Sequence, residues 1–164
     1  MSINNTYFGT ATKKHLGGTV DAIFIPRSNT SFSPTRNITG VPYTVAGYST
    51  GVPEGSTVIT VGTTSGVQIG TVLSTSTSAL YHDQELTDLL LTSTQVNGGD
   101  SGGIVLRLGS NSNLYICGIM IAKRRTVSSS DPDDGINDPG QCIACKYTNI
   151  ANALGISMLS LIHI

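Results

Sequence analysis

Apolar residues recur along this chain in short alternating runs, interrupted every few positions by glycine, proline or asparagine, a pattern that predicts strands. Residues 6–12 and 19–25 flank Gly17-Gly18 and read as a hairpin turning at the glycines. Residues 26–42, rich in Ser, Thr, Asn and Pro and without periodicity, read as a linker. Beyond it, residues 43–48, 57–62, 66–74, 104–108, 114–123 and 142–147 are β-rich runs whose spacing suggests a barrel or sandwich. Residues 82–91, acidic and leucine-bearing, fit a helical turn, and residues 128–140, around Asp131-Pro132-Asp133-Asp134-Gly135, a long polar loop. Residues 149–159 place Ile150, Ala153, Leu154 and Met158 on one face, as a closing amphipathic helix would.

Composition narrows this picture. A chain of 164 residues holds one ordinary domain plus an appendage, and its low charge, many Gly, Ser and Thr residues and lack of Trp favour an all-β class. A formal net charge of −1 offers no field to recruit nucleic acid or a membrane surface, and Lys123-Arg124-Arg125 reads as a solvated strand end. No run of 18 apolar residues predicts a transmembrane helix, and the first residues do not resemble a secretory signal. Of the cysteines, Cys142 and Cys145 form a CxxC pair and Cys117 stands apart. Buried free thiols are the plainest reading; a disulfide from Cys117 to one of the others, or half of a zinc site, are alternatives. No cofactor and no metal is expected.

The sharpest feature is Asn97-Gly98-Gly99-Asp100-Ser101-Gly102-Gly103, leading into the apolar Ile104-Val105. Acyl transfer needs an exposed serine beside backbone N–H groups that hold a developing oxyanion, and glycines allow a turn tight enough to aim those groups.

Gly99-Asp100-Ser101-Gly102-Gly103 resembles the nucleophile motif of the chymotrypsin-like (trypsin-like) serine peptidases. In correct order around it, Thr19-Val20-Asp21-Ala22-Ile23-Phe24-Ile25 is similar to the strand that carries the catalytic aspartate in bacterial members. The segment from Gly55 through Gly66 to Val72 is similar to their second-barrel hairpin, and Gly118-Ile119-Met120-Ile121-Ala122 to the strand lining the substrate channel. The resemblance implies a six-stranded antiparallel Greek-key barrel over residues 36–160 with a C-terminal helix. It divides the chain into an N-terminal hairpin left from a first barrel (1–27), a linker (28–42) and the second barrel (43–164). It implies Ser101 as nucleophile, the N–H groups of Gly99 and Ser101 as oxyanion hole, Asp21 as the group orienting the base, and Gln95, Ile121, Ala122 and Lys123 around the substrate pocket. For Asp21 a strand-end surface position is the alternative. Gln95, six residues before the serine, does not support cleavage after Lys or Arg. In this family the aspartate before the serine usually meets a processed N-terminus; for Asp100 the partner is left open.

The family's histidine precedes its aspartate, and nothing like its apolar-Thr-Ala-Ala-His context occurs here, so the chain reads as a truncated form without the base. A three-residue hairpin loop would set His15 opposite Asp21, whereas a two- or four-residue loop would pair it with Val20 and turn it away. His82 and His163 read as surface or packing residues. Two functions follow: a serine endopeptidase, acting on polypeptide, that is inactive alone; or a non-enzymatic barrel module binding a peptide or another copy of itself. A homodimer through the hairpin is expected, because Phe8, Ile23 and Phe24 would face a missing core.

Overall fold

The computed structural model describes residues 2–3, 6–33, 35–81, 84–110, 112–124 and 140–157. His82, His163, Met158, Arg125 and all but the last residue of the expected polar loop lie outside them. Two short strands, β1 (Ser2–Ile3) and β2 (Thr6–Tyr7), pair with each other, and β3 (Lys13–Gly17) pairs antiparallel with β4 (Val20–Phe24). The expected hairpin is therefore present, but its first strand is 13–17 rather than 6–12. Then follow β5 (Val45–Tyr48), β6 (Thr57–Gly62), β7 (Gly66–Tyr81), β8 (Gln84–Val96), β9 (Ile104–Leu108), β10 (Leu114–Arg124), β11 (Gly140–Lys146) and the helix α1 (Tyr147–Leu154).

The strands β6-β7-β8-β11-β10-β9 close on themselves through antiparallel ladders, which makes the expected six-stranded barrel. Its membership differs from the sequence reading in one place. Residues 43–48 were expected as a barrel strand, yet β5 lies outside the ring, parallel to β10. The sixth member is β8, which overlaps the expected helical turn at 82–91. Leu86, Leu89 and Leu91 face one apolar cluster while Leu90 and Val96 face another. A strand buried on both faces loses the two-residue alternation that would reveal it.

Three apolar clusters hold the molecule together. The barrel interior gathers Val58, Val72, Leu90, Val105, Met120 and the Cys117 and Cys142 thiols. Outside it, Ile59, Leu106 and Leu114 are covered by Ile38, Val41, Tyr43 and Val45, so part of the expected linker packs on the barrel wall. On the opposite flank, Val20 of β4 joins Leu86, Leu89, Ile121, Cys145, Ile150 and Leu154, with Ala22 and Phe24 against them. The hairpin is thus docked on its own barrel, and the Thr87 N–H donates to the Gly18 carbonyl at 2.8 Å to fix its turn. Phe24 has found its core here, and Phe8 packs edge-on against Phe32. Ile23 remains 61% exposed.

The helix is shorter than the expected 149–159. It stops at Gly155, whose backbone is left-handed (φ 57°), and Lys13 Nζ donates to the Leu154 carbonyl at 2.7 Å. Ile150 and Leu154 are buried as predicted, whereas Ala153 is exposed. Asp88, a non-glycine residue at φ 56°, ties β8 to the helix by ion-pairing with Lys146 and accepting from Asn149 Nδ2 at 2.9 Å.

Because Leu86 joins hairpin, barrel and helix, Leu86→Ala is expected to lower stability by about 3 kcal/mol in urea titrations. Amide exchange should accelerate most in residues 13–24, and uniform acceleration across the barrel would contradict this account of the docking.

Candidate active site

The loop from β8 to β9 is built around a buried carboxylate. Asp100 is 2% exposed; its Oδ1 accepts from the N–H groups of Thr64 (2.7 Å) and Ser65 (3.0 Å), and its Oδ2 from that of Asn97 (2.8 Å). These backbone donors are the partner that the sequence left open. Burial by itself would raise the Asp100 pKa, but the N–H groups of Asn97, Ser65 and Thr64 outweigh it and hold the carboxyl below its ordinary value. A Cβ on Gly62 would collide with this carboxylate, which explains a glycine at the end of β6. At Gly99 the backbone is at φ 96° and a Cβ would stand 2.5 Å from Thr64 Oγ1.

So constrained, the loop presents Ser101 to solvent at the end of the barrel. Ser101 Oγ donates to the Ile121 carbonyl at 3.3 Å, and the Gly102 N–H to the Met120 carbonyl at 2.8 Å. The N–H groups of Gly99 and Ser101 donate to none of the described residues.

Ser101 stands between two cavities. The larger, about 600 Å³, lies between hairpin and barrel and is lined by Asp21, Phe24, Ser101, Ile119, Ile121 and Tyr147 among others. Asp21 and Ser101 therefore share one cleft with apolar walls. The Asp21 N–H donates to Cys145 Sγ at 3.2 Å, while its carboxylate accepts no hydrogen bond from a described residue. The smaller cavity, about 160 Å³, is lined by Val96, Asn97, Asp100, Ser101, Met120, Ala122 and Lys123. Of the residues that the resemblance implies around the pocket, Ala122 and Lys123 line this smaller cavity and Ile121 the larger cleft. Gln95 lines neither cavity; its side chain is exposed and its Nε2 donates to the Ser93 carbonyl at 3.2 Å.

No described histidine enters the cleft. The hairpin connection is two residues long, so His15 pairs with Ala22, not with Val20, and Asp21 pairs with Leu16. His15 consequently lies on the opposite face from Asp21, exposed to solvent. The three cysteines are free and buried. Burial pushes the thiols of Cys117 and Cys142 up to about 12 and raises that of Cys145, so none is a thiolate nucleophile at neutral pH. Among the described residues, no group of three or more His, Cys, Asp or Glu side chains could hold a metal ion. Nor is any described helix long and apolar enough to cross a membrane.

Sequence reasoning missed Thr64 and Ser65, whose contribution is made by backbone and so leaves no residue-type signal. Asp100→Ala strands these buried donors and should cost about 3 kcal/mol of stability. Because the folded-state pKa of Asp100 lies below that of the unfolded chain, its stabilisation is complete above about pH 4–5 and is lost as pH falls through the folded value. Chemical denaturation between pH 3 and 6 should show a flatter pH dependence for Asp100→Asn than for the parent; equal slopes would exclude this assignment.

No family model and no curated protein matches the sequence. Among solved structures, the chain is similar to the chymotrypsin of Cellulomonas bogoriensis, at 24% identity over 93% of this chain and 74% of that one, with a TM-score of 0.69. It is also similar to protease A of Thermobifida fusca (23% identity, 90% and 72% of the two chains, TM-score 0.66) and to a glutamic-acid-specific serine protease (22%, 90% and 72%, 0.66). Barrel topology, strand order and these likenesses agree: the chain has the chymotrypsin-like fold.

Proposed function

We propose that the chain is the nucleophile-bearing part of a serine endopeptidase, a form truncated with respect to the histidine base and inactive by itself. One observation carries this reading: Asp21 and Ser101 line a single cleft, and the N–H groups of Gly99 and Ser101 donate to none of the described residues. Ser101 would attack the scissile carbonyl of a polypeptide, those two N–H groups would hold the oxyanion, and Asp21 would orient an imidazole placed between it and Ser101. Lys123 and Ala122 would border the side chain of the residue before the cleaved bond. As it stands, the hydroxyl donates to the Ile121 carbonyl, and no described group is placed to take its proton.

In a triad, removing the serine or the histidine alone costs nearly what removing all three costs. With the base absent, deleting the serine should bring no further loss. The isolated chain is expected to hydrolyse casein no faster than Ser101→Ala, and a fluorophosphonate should not label Ser101 at a rate typical of serine hydrolases. Serine-dependent turnover on the order of 1 s⁻¹ would refute the inactive state, though not the site.

A second reading, a self-associating or peptide-binding module, is favoured by exposed apolar residues on the cleft-bordering face of the hairpin. There Leu16 (49% exposed) and Ile23 (61%), the latter itself lining the cleft, flank Asp21. A homodimer through this face predicts a dimer mass in light scattering that Ile23→Glu reduces to the monomer. A monomer at high concentration would eliminate it.

A further inference from the structure

A third cavity opens at the other end of the barrel. The Ser101 end is marked by Val96 of β8, whereas this cavity is floored by Leu90, six residues back and about 20 Å along the strand, and by Cys117. Its volume of about 460 Å³ falls within the range of sites for small organic molecules. Val52 and Pro53 supply more apolar wall, and Arg107 and Lys146 its charged groups.

These two cations differ in what they already hold. Lys146 is ion-paired with Asp88. Arg107, half-buried on β9, has only neutral acceptors, Ser49 Oγ and the Gly51 carbonyl, each at 3.5 Å, and no carboxylate among the described residues. A guanidinium has five N–H donors in a planar fork, and two contacts at the limit of hydrogen-bond length leave most of them unused. Acidic groups do not fill the gap. None lines the cavity, and Glu54, beside Pro53, accepts from the Thr75 N–H at 3.3 Å. The Cys117 thiol, which donates to the Val105 carbonyl at 3.3 Å, is neutral and does not repel an anion.

We propose that this cavity is a ligand site separate from the Ser101 cleft, taking a small organic carboxylate whose charged end forks onto Arg107 and whose apolar end rests on Val52, Pro53 and Leu90. A monoanion suits it better than a phosphate dianion, because Asp88 pairs with Lys146 and leaves Arg107 as the one lining cation without a carboxylate partner among the described residues. The same chemistry occurs in a free short-chain acid and in the C-terminal carboxylate of an apolar peptide.

The test is calorimetric titration of the whole chain with hexanoate, with hexanamide as the neutral isostere, and with Ala-Leu-Leu carrying either a free or an amidated C-terminus. Hexanoate is expected to bind and hexanamide to bind at least about tenfold more weakly. Arg107→Gln should lose at least about tenfold in hexanoate affinity and Arg107→Lys less, since lysine keeps the charge but not the fork. If Arg107→Gln does not fold, Thr75→Glu, which sets a carboxylate on the cavity wall, should weaken hexanoate by a similar factor. Ser101→Ala should leave binding unchanged. Tighter binding of the free-acid peptide than of hexanoate assigns the site to chain ends, and the reverse order assigns it to free acids. Equal binding of hexanoate and hexanamide, or no binding of any carboxylate, overturns the proposal, and so does hexanoate affinity that Thr75→Glu leaves unaltered.

Discussion

The Asp100 carboxylate organises the active end of this barrel. Burying a charge is costly unless it is fully hydrogen-bonded, and here the donors come from two loops: Asn97 from the segment entering the nucleophile turn, Thr64 and Ser65 from the β6–β7 turn. The carboxylate therefore fastens one turn against the other. The backbone carbonyl of Asp100 accepts from the Gly103 N–H at 2.9 Å, closing the loop that carries Ser101. A neutral residue at position 100 would leave that loop with its glycines but without its anchor, and glycine-rich loops lose the most entropy on ordering. The exposed position of Ser101 rests on this ion together with the glycines and the Gly102–Met120 hydrogen bond.

Asp21 is placed by different means. It rides on a two-stranded ribbon, which is marginal in isolation, and the ribbon is held by apolar burial of Val20, Ala22 and Phe24 against β8, β11 and the helix. The Lys13 contact to the helix end and the Thr87–Gly18 hydrogen bond add direction to that adhesion. The two walls of the cleft thus rest on separate supports, one polar and internal to a loop, the other apolar and spread over several elements. A small slide of the ribbon would move Asp21 relative to Ser101 without disturbing the nucleophile loop, and such misplacements weigh heavily on catalysis.

How much of this could be read in the sequence depended on what each feature demands of residue type. The nucleophile loop was legible because left-handed backbone and close approach at Gly62 and Gly99 leave few residues able to serve. The barrel was legible as a barrel, but β8 was not, since Leu86, Leu89, Leu90 and Leu91 are buried on two faces and mimic a helical pattern. The side of the ribbon on which His15 falls turned on a single residue of loop length, which glycines at 17 and 18 do not fix. Gln95 was placed in the pocket by the resemblance; it is exposed here, and Val96 and Asn97 line the cavity beside Ser101. Backbone donors such as those of Thr64 and Ser65 leave no trace in composition at all.

Electrostatic preorganisation and proton transfer are separable contributions, and the proposed function would draw them from different parts of the chain. The N–H groups proposed as oxyanion donors, those of Gly99 and Ser101, belong to the barrel loop that Asp100 anchors, and on that reading they need no base to be in place. A donor of this kind is worth on the order of 10²–10³ in rate, yet only after a nucleophile has attacked. The hydroxyl that would attack is meanwhile satisfied by the Ile121 carbonyl, a neutral acceptor that holds it in place without drawing off its proton. An imidazole entering the cleft would have to offer a better acceptor than that carbonyl, and Asp21, whose carboxylate accepts no hydrogen bond from a described residue, could stabilise the resulting cation. The apolar walls would strengthen that stabilisation by excluding water. On the proposed reading the barrel would supply the part of the site that must be rigid and leave open the part that must carry the proton.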